Sequence, residues 1–78
     1  MTRGPLHKVE PSRCTSVNMK RLLFMLRLGV WPQLKDCYHS KPDSGIRCVI
    51  RMQDTQGLYF EYFVRQDNAW KSIERFRP

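Results

Sequence analysis

Residues 46–66, IRCVIRMQDTQGLYFEYFVRQ, alternate so regularly that two strands and a turn can be drawn from them alone. Successive strand residues point to opposite faces, so Ile46, Cys48, Ile50 and Met52 fall on one side and Arg47, Val49, Arg51 and Gln53 on the other. A loop of Thr55-Gln56-Gly57, a type I turn closed by Gly57 in the left-handed region, sets Asp54 opposite Leu58. The pairs then run Met52 with Phe60, Ile50 with Tyr62 and Cys48 with Val64, while Arg51 meets Glu61 on the other face. A loop one residue longer or shorter would place Ile50 opposite Glu61 or Phe63 and mix the faces. The three-residue loop is therefore the expected one.

A hairpin needs something to pack on, and the segments around it read as helices. Ser16 or Asn18 can cap a helix through MKRLLFMLRL that stops at Gly29, a residue suited to the left-handed turn that ends many helices. At 100° per residue, Met19, Leu22, Leu23 and Leu26 form its apolar stripe, with Lys20 and Arg27 about a quarter-turn away. Phe24, Met25 and Leu28 fall on the far side beside Arg21. Pro32 suits the first position of a second, short helix through PQLKDCYH, with Leu34, Cys37 and Tyr38 on one side. SKPDSG, at 40–45, is a turn-rich loop. Beyond the hairpin, Asp67 can cap a last helix, NAWKSIERF, in which Ala69, Trp70, Ile73 and Phe76 recur at helical spacing. A strand there would send Trp70 and Ile73 to opposite faces, so the helix is preferred.

Residues 1–15, MTRGPLHKVEPSRCT, sustain no period of either kind. The expected architecture is thus a small single α+β domain over residues 16–78, ordered helix, short helix, β-hairpin, C-terminal helix, preceded by a disordered basic arm. Two helices and a hairpin look superficially like a shortened winged helix, but the third helix that should precede the wing has no counterpart.

The chain has 78 residues, enough for one domain with a thin core, since a chain of this size buries only about 60 % of its unfolded surface. Its 14 Lys and Arg against 7 Asp and Glu give a net charge of +7, which favours phosphate or an acidic protein surface as a partner. Three cysteines without a CxxC pair do not read as a disulfide framework, and a reducing cytoplasm is the expected setting. The apolar run LLFMLRLGVW is about half of the roughly 20 residues that a membrane span needs, and Arg27 interrupts it. No membrane association is expected.

Two binding readings follow. Arg47, Arg51 and Arg65 beside Tyr59 and Phe63 would offer guanidinium groups for phosphates and rings for stacking on bases, with Arg3, Lys8 and Arg13 of the arm adding charge. A small nucleic-acid-binding regulatory protein, for DNA or RNA, is the first reading. The alternative is an inhibitor or adaptor that docks on an acidic surface of a larger enzyme through helix 1 and the hairpin. On the helix, Lys20, Arg21 and Arg27 would steer, and Phe24, Met25 and Leu28 would make the apolar contact. Self-association as a homodimer would cover the same patch.

No enzyme and no cofactor are expected. Cys37 and His39 form the one adjacent nucleophile and base, and alternate residues of a helix point about 200° apart. No phosphate-binding glycine loop, HExxH or GxSxG occurs. Cys14, Cys37, His39 and Cys48 match a zinc set in number, but structural zinc sites bring their ligands in close pairs, which argues against a metal.

Overall fold

The computed structural model of the chain describes residues 4–42 and 45–78. Five strands, β1 (Thr15–Val17), β2 (Cys37–Ser40), β3 (Arg47–Asp54), β4 (Gly57–Gln66) and β5 (Ala69–Phe76), form one sheet in chain order, and one helix, α1 (Met19–Arg27), joins β1 to β2. β1 and β2 are parallel, and every other neighbour is antiparallel. Parallel neighbours need a crossover, which α1 and the loop after it supply. Two 3-10 turns, Gly4–Val9 and Pro11–Arg13, precede β1.

The helix follows its sequence closely. Asn18 is its cap, accepting a hydrogen bond from the Arg21 N–H at 3.1 Å. Gly29, with φ of 79°, turns the chain out of it. Met19, Leu22, Leu23 and Leu26 are buried against Tyr38, Val49, Phe60, Tyr62 and Phe76. The opposite face of the sheet buries Cys37, Cys48, Ile50 and Phe63 under Val9 of the first 3-10 turn. In place of an arm without regular structure, residues 4–13 therefore cover one side of the sheet while α1 covers the other. Cys14 is bonded to Cys37 in a disulfide with a Cα–Cα distance of 4.6 Å, and Cys48 is a buried free thiol. The pattern of a free, reduced cysteine set is thus corrected.

Three further expectations are overturned. The C-terminal helix is strand β5. Asp67 and Asn68, with φ of 52° and 62°, both adopt the left-handed conformation, making a two-residue turn that closes with Gln66 opposite Ala69. The pairing of β4 with β5 then slips between Tyr62 and Phe63, from Tyr62↔Glu74 to Phe63↔Ser72, leaving Ile73 as an extra residue, 53% exposed. This bulge flips the parity of the strand. Trp70 lies opposite Arg65 on the Val9 side, and Phe76 lies opposite Phe60 on the α1 side. Apolar residues on a bulged strand thereby imitate helical spacing.

The short helix through 32–39 is also absent: β2 begins at Cys37, and all four of its residues are buried. Finally, the hairpin register is one residue from the expected one. Gly57 does have a positive φ, 113°, but Asp54 pairs with Gly57, so Met52 faces Tyr59, Ile50 faces Glu61 and Arg51 faces Phe60. The expectation assumed a single buried face. Cys48, Val49 and Ile50 are instead consecutive and all 0% exposed, the run of a strand covered on both sides. Glu61 is accommodated because β5 brings Ser72, whose hydroxyl donates to Oε2, and Arg75, whose Nη2 lies 3.1 Å from Oε1.

The turn at Asp67-Asn68 supports a direct check. Asn68→Val places a β-branched residue in the left-handed region and should cost about 1–2 kcal/mol of stability in chemical denaturation, whereas Asn68→Gly should retain or raise it. Equal stability of the two variants would contradict a turn at this position.

A candidate docking surface on helix α1

The residues expected to bind nucleic acid are divided by the register. Arg47 and Arg51 are on the α1 side of β3, where the Arg47 Nε donates to the Tyr62 hydroxyl at 2.9 Å and the Arg51 Nη2 donates to Asp36 Oδ1 at 2.8 Å. Tyr59, Phe63 and Arg65 are on the other side of the sheet. Phe63 is buried in the cluster under Val9, and Arg65 lies over the Trp70 ring at 5.6 Å. Tyr59 is 5% exposed, with the guanidinium groups of Arg75 and Arg77 at 4.7 and 4.6 Å from its ring centre. Lys8 is 3.8 Å from Asp36, and Arg13 is exposed at the end of the second 3-10 turn. Arg3 lies outside the described residues.

The residues of α1 stay together. Burial of Met19, Leu22, Leu23 and Leu26 turns Lys20, Arg21, Phe24, Arg27 and Leu28 outward. Phe24 is 62% and Leu28 64% exposed, and residues four apart on a helix are neighbours, so the two form one apolar ridge. Lys20 and Arg27 border the ridge on one side and Arg21 on the other. Met25 is half-buried and leads into a groove of about 350 Å³ between α1 and the edge strand β1. Val17, Met25, Pro32 and Tyr38 give that groove an apolar lining, and Arg21 and Lys41 supply its cations. The Tyr38 hydroxyl donates to the Gln33 carbonyl, and burial pushes its pKa up, so it stays neutral.

Most acids are spent on other cations. Asp36 faces Lys8 and Arg51, Asp54 faces Arg77, Glu61 faces Arg75, and Glu74 faces Arg27. Among the described residues, no acid pairs with Lys20, Arg21, Lys41 or Arg47. Lys20, Lys41 and Arg47 line a cleft of about 320 Å³ with Asn18 and Met19. Lys20 and Arg21 also occupy the first turn of α1, which contains no acid, although the helix dipole is positive there and favours negative side chains. A local rule broken in this way marks a functional candidate. Lys41 had no sequence signal, because it sits in a turn-rich loop. The parallel pairing of β1 with β2 brings it in, with its N–H bonded to the Val17 carbonyl at 3.0 Å.

Arg27 ties the C-terminal end of α1 to β5 through a forked contact with Glu74, with Nε at 3.2 Å from both carboxylate oxygens and Nη2 at 2.8 Å from Oε1. This hydrogen bonding holds the Glu74 carboxyl below the usual glutamate range. A carboxyl with a lowered folded pKa stabilises the fold above its unfolded pKa and loses that contribution as pH falls through the folded value. Glu74→Gln should therefore unfold at a lower temperature than the unmodified chain near neutrality, and the gap should close as the solution is acidified below the glutamate range. A gap independent of pH would mean that the ion pair does not anchor α1. Compared with protein-family models, with curated proteins and with solved structures, the chain gives no match.

Proposed function

We propose that the chain is a small protein-binding module, an inhibitor or adaptor, whose α1 face docks on an acidic, partly apolar surface of a larger protein. The observation that carries this reading is the Phe24–Leu28 ridge, exposed and bordered by Lys20 and Arg21. Burying side chains of this size contributes about 1.5–3 kcal/mol each before the costs of association. The neighbouring cations add steering and orientation. They also select the partner's chemistry: carboxylates around an apolar strip fit, and a basic surface is repelled.

Nucleic-acid binding is the second reading, and the cleft of Lys20, Lys41 and Arg47 favours it because its cations lack an acid partner among the described residues. On this reading the contact is to phosphates, with the site moved from the hairpin to the N-terminal end of α1. Tyr59 and Phe63, both buried, supply no stacking platform. As for setting, the Cys14–Cys37 bond supports an oxidising compartment over the reducing cytoplasm. No helix among the described residues is long and apolar enough to cross a membrane.

The two readings separate in one set of measurements. Nuclease-treated extract passed over the immobilised chain should leave an acidic protein in stoichiometric amount. Phe24→Asp should weaken that complex by roughly 30-fold or more, as expected for a central apolar contact. Lys20→Glu with Arg21→Glu should weaken it most at low salt. A chain that instead shifts single- or double-stranded nucleic acid, with Phe24→Asp unchanged and Lys41→Ala with Arg47→Ala flattening the salt dependence, would reverse the order of the two readings.

A further inference from the structure

The two edges of the sheet differ in how open they are to a further strand. β5 forms one edge and carries the bulge at Ile73 together with Lys71, Glu74 and Arg75, features that hinder pairing. β1 forms the other. Its three residues, Thr15, Ser16 and Val17, include no charge and no proline, and its register with β2 is unbroken. The Val17 carbonyl accepts from the Lys41 N–H at 3.0 Å, so the backbone groups of Val17 face β2. Successive strand residues aim these groups to opposite sides, so the N–H and C=O of the exposed Ser16 face away from the sheet. Among the described residues, no strand lies along that side. Beside it opens the groove of about 350 Å³ in which Val17, Met25, Pro32 and Tyr38 are apolar, Arg21 and Lys41 are cationic, and no described acid takes part.

We propose that this groove takes an extended acidic segment of another protein, which adds to the free edge of β1 as a sixth strand. The inference rests on the docking reading of α1 and names the form in which the partner arrives. A backbone N–H and C=O presented together match another peptide backbone, which returns one acceptor and one donor. A phosphate backbone offers acceptors alone, so the pair at Ser16 favours protein over nucleic acid. The pairing is short, because the second 3-10 turn ends at Arg13 and the helix cap follows at Asn18. Side chains supply the rest of the contact. Alternate residues of an added strand project to the α1 side, where Val17 and Met25 offer apolar contact. Acidic residues beside them meet Arg21 and Lys41, which have no acid partner among the described residues. Phe24 and Leu28 do not line the groove, so the ridge and the groove are separate contacts.

Selection of short random peptides displayed on phage against the immobilised chain should enrich sequences in which acidic and apolar residues alternate. Binding of an enriched peptide should slow hydrogen exchange of the Ser16 N–H by roughly tenfold or more. N-methylation scanned along that peptide leaves the protein itself unchanged. At the one position whose N–H meets the Ser16 carbonyl, it should weaken binding by roughly tenfold or more. Arg21→Glu should weaken binding too, whereas Phe24→Ala, which alters no charge, should leave it unchanged. Enrichment of basic peptides, or of none, would overturn the proposal. So would bound peptides that leave Ser16 exchange unaltered or tolerate N-methylation throughout. Protection of Ser16 that grows with protein concentration alone would assign the groove to a second copy, and protection by an oligonucleotide would assign it to phosphate; either overturns the proposal. A partner complex that stays sensitive to Phe24→Ala while no peptide is taken up would sink the groove alone. An insensitive complex alongside peptide uptake at Ser16 would sink the ridge alone.

Discussion

Cys48, Val49 and Ile50 are adjacent in the chain and all fully buried, and neighbouring strand residues face opposite ways. β3 must consequently be covered on both sides, in a chain with only 78 residues to do it. The sheet cannot use one helical layer and leave its other face wet. It uses α1 for Val49, Phe60 and Tyr62, and the 3-10 segment for Cys48, Ile50 and Phe63. The rest of the architecture follows from supplying those two layers. α1 comes from the crossover that parallel β1 and β2 require. The second layer is too short to form a core of its own and is joined to β2 by a covalent bond.

Two-sided burial also decides where binding chemistry is left over. The sheet faces are occupied and β3 and β4 are interior strands, so the hairpin presents little beyond its turn end, and its arginines are drawn into contacts with Tyr62 and Asp36. α1 is a single layer on its side of the sheet, and its outer surface has nothing above it among the described residues. An amphipathic helix in that position usually shows polar residues to solvent. This one shows Phe24 and Leu28 between cations. At its N-terminal end Lys20, Arg21, Lys41 and Arg47 have no acid partner among the described residues, while Asp36, Asp54, Glu61 and Glu74 face other cations.

How much of this was legible in the sequence depends on whether the signal was local. Helix α1 was legible in its stop at Gly29 and its stripe, and its cap was narrowed to Ser16 or Asn18, of which the structure uses Asn18, because these signals lie within one segment. The two hairpin strands and the outward set on α1 were legible for the same reason. The register was not, since choosing between Ile50–Tyr62 and Ile50–Glu61 requires knowing that a second layer exists. Strand β5 was masked by its bulge at Ile73, which gives Trp70 and Phe76 opposite faces at a spacing that reads as helical. The Asp67-Asn68 pair was visible, but either a helix cap or a two-residue turn can use an aspartate there. The Cys14–Cys37 bond is a contact across 23 residues, and three cysteines do not announce which two meet.

The division of the basic and aromatic residues between two faces depends on the β3–β4 register. Cross-strand proton contacts in the nuclear Overhauser spectrum of labelled protein test it most directly. Contacts between Ile50 and Glu61, Arg51 and Phe60, and Phe60 and Phe76 are predicted. Contacts between Ile50 and Tyr62 with Arg51 opposite Glu61 would contradict it. They would restore Arg47, Arg51, Tyr59, Phe63 and Arg65 to a single face and return the binding surface to the hairpin.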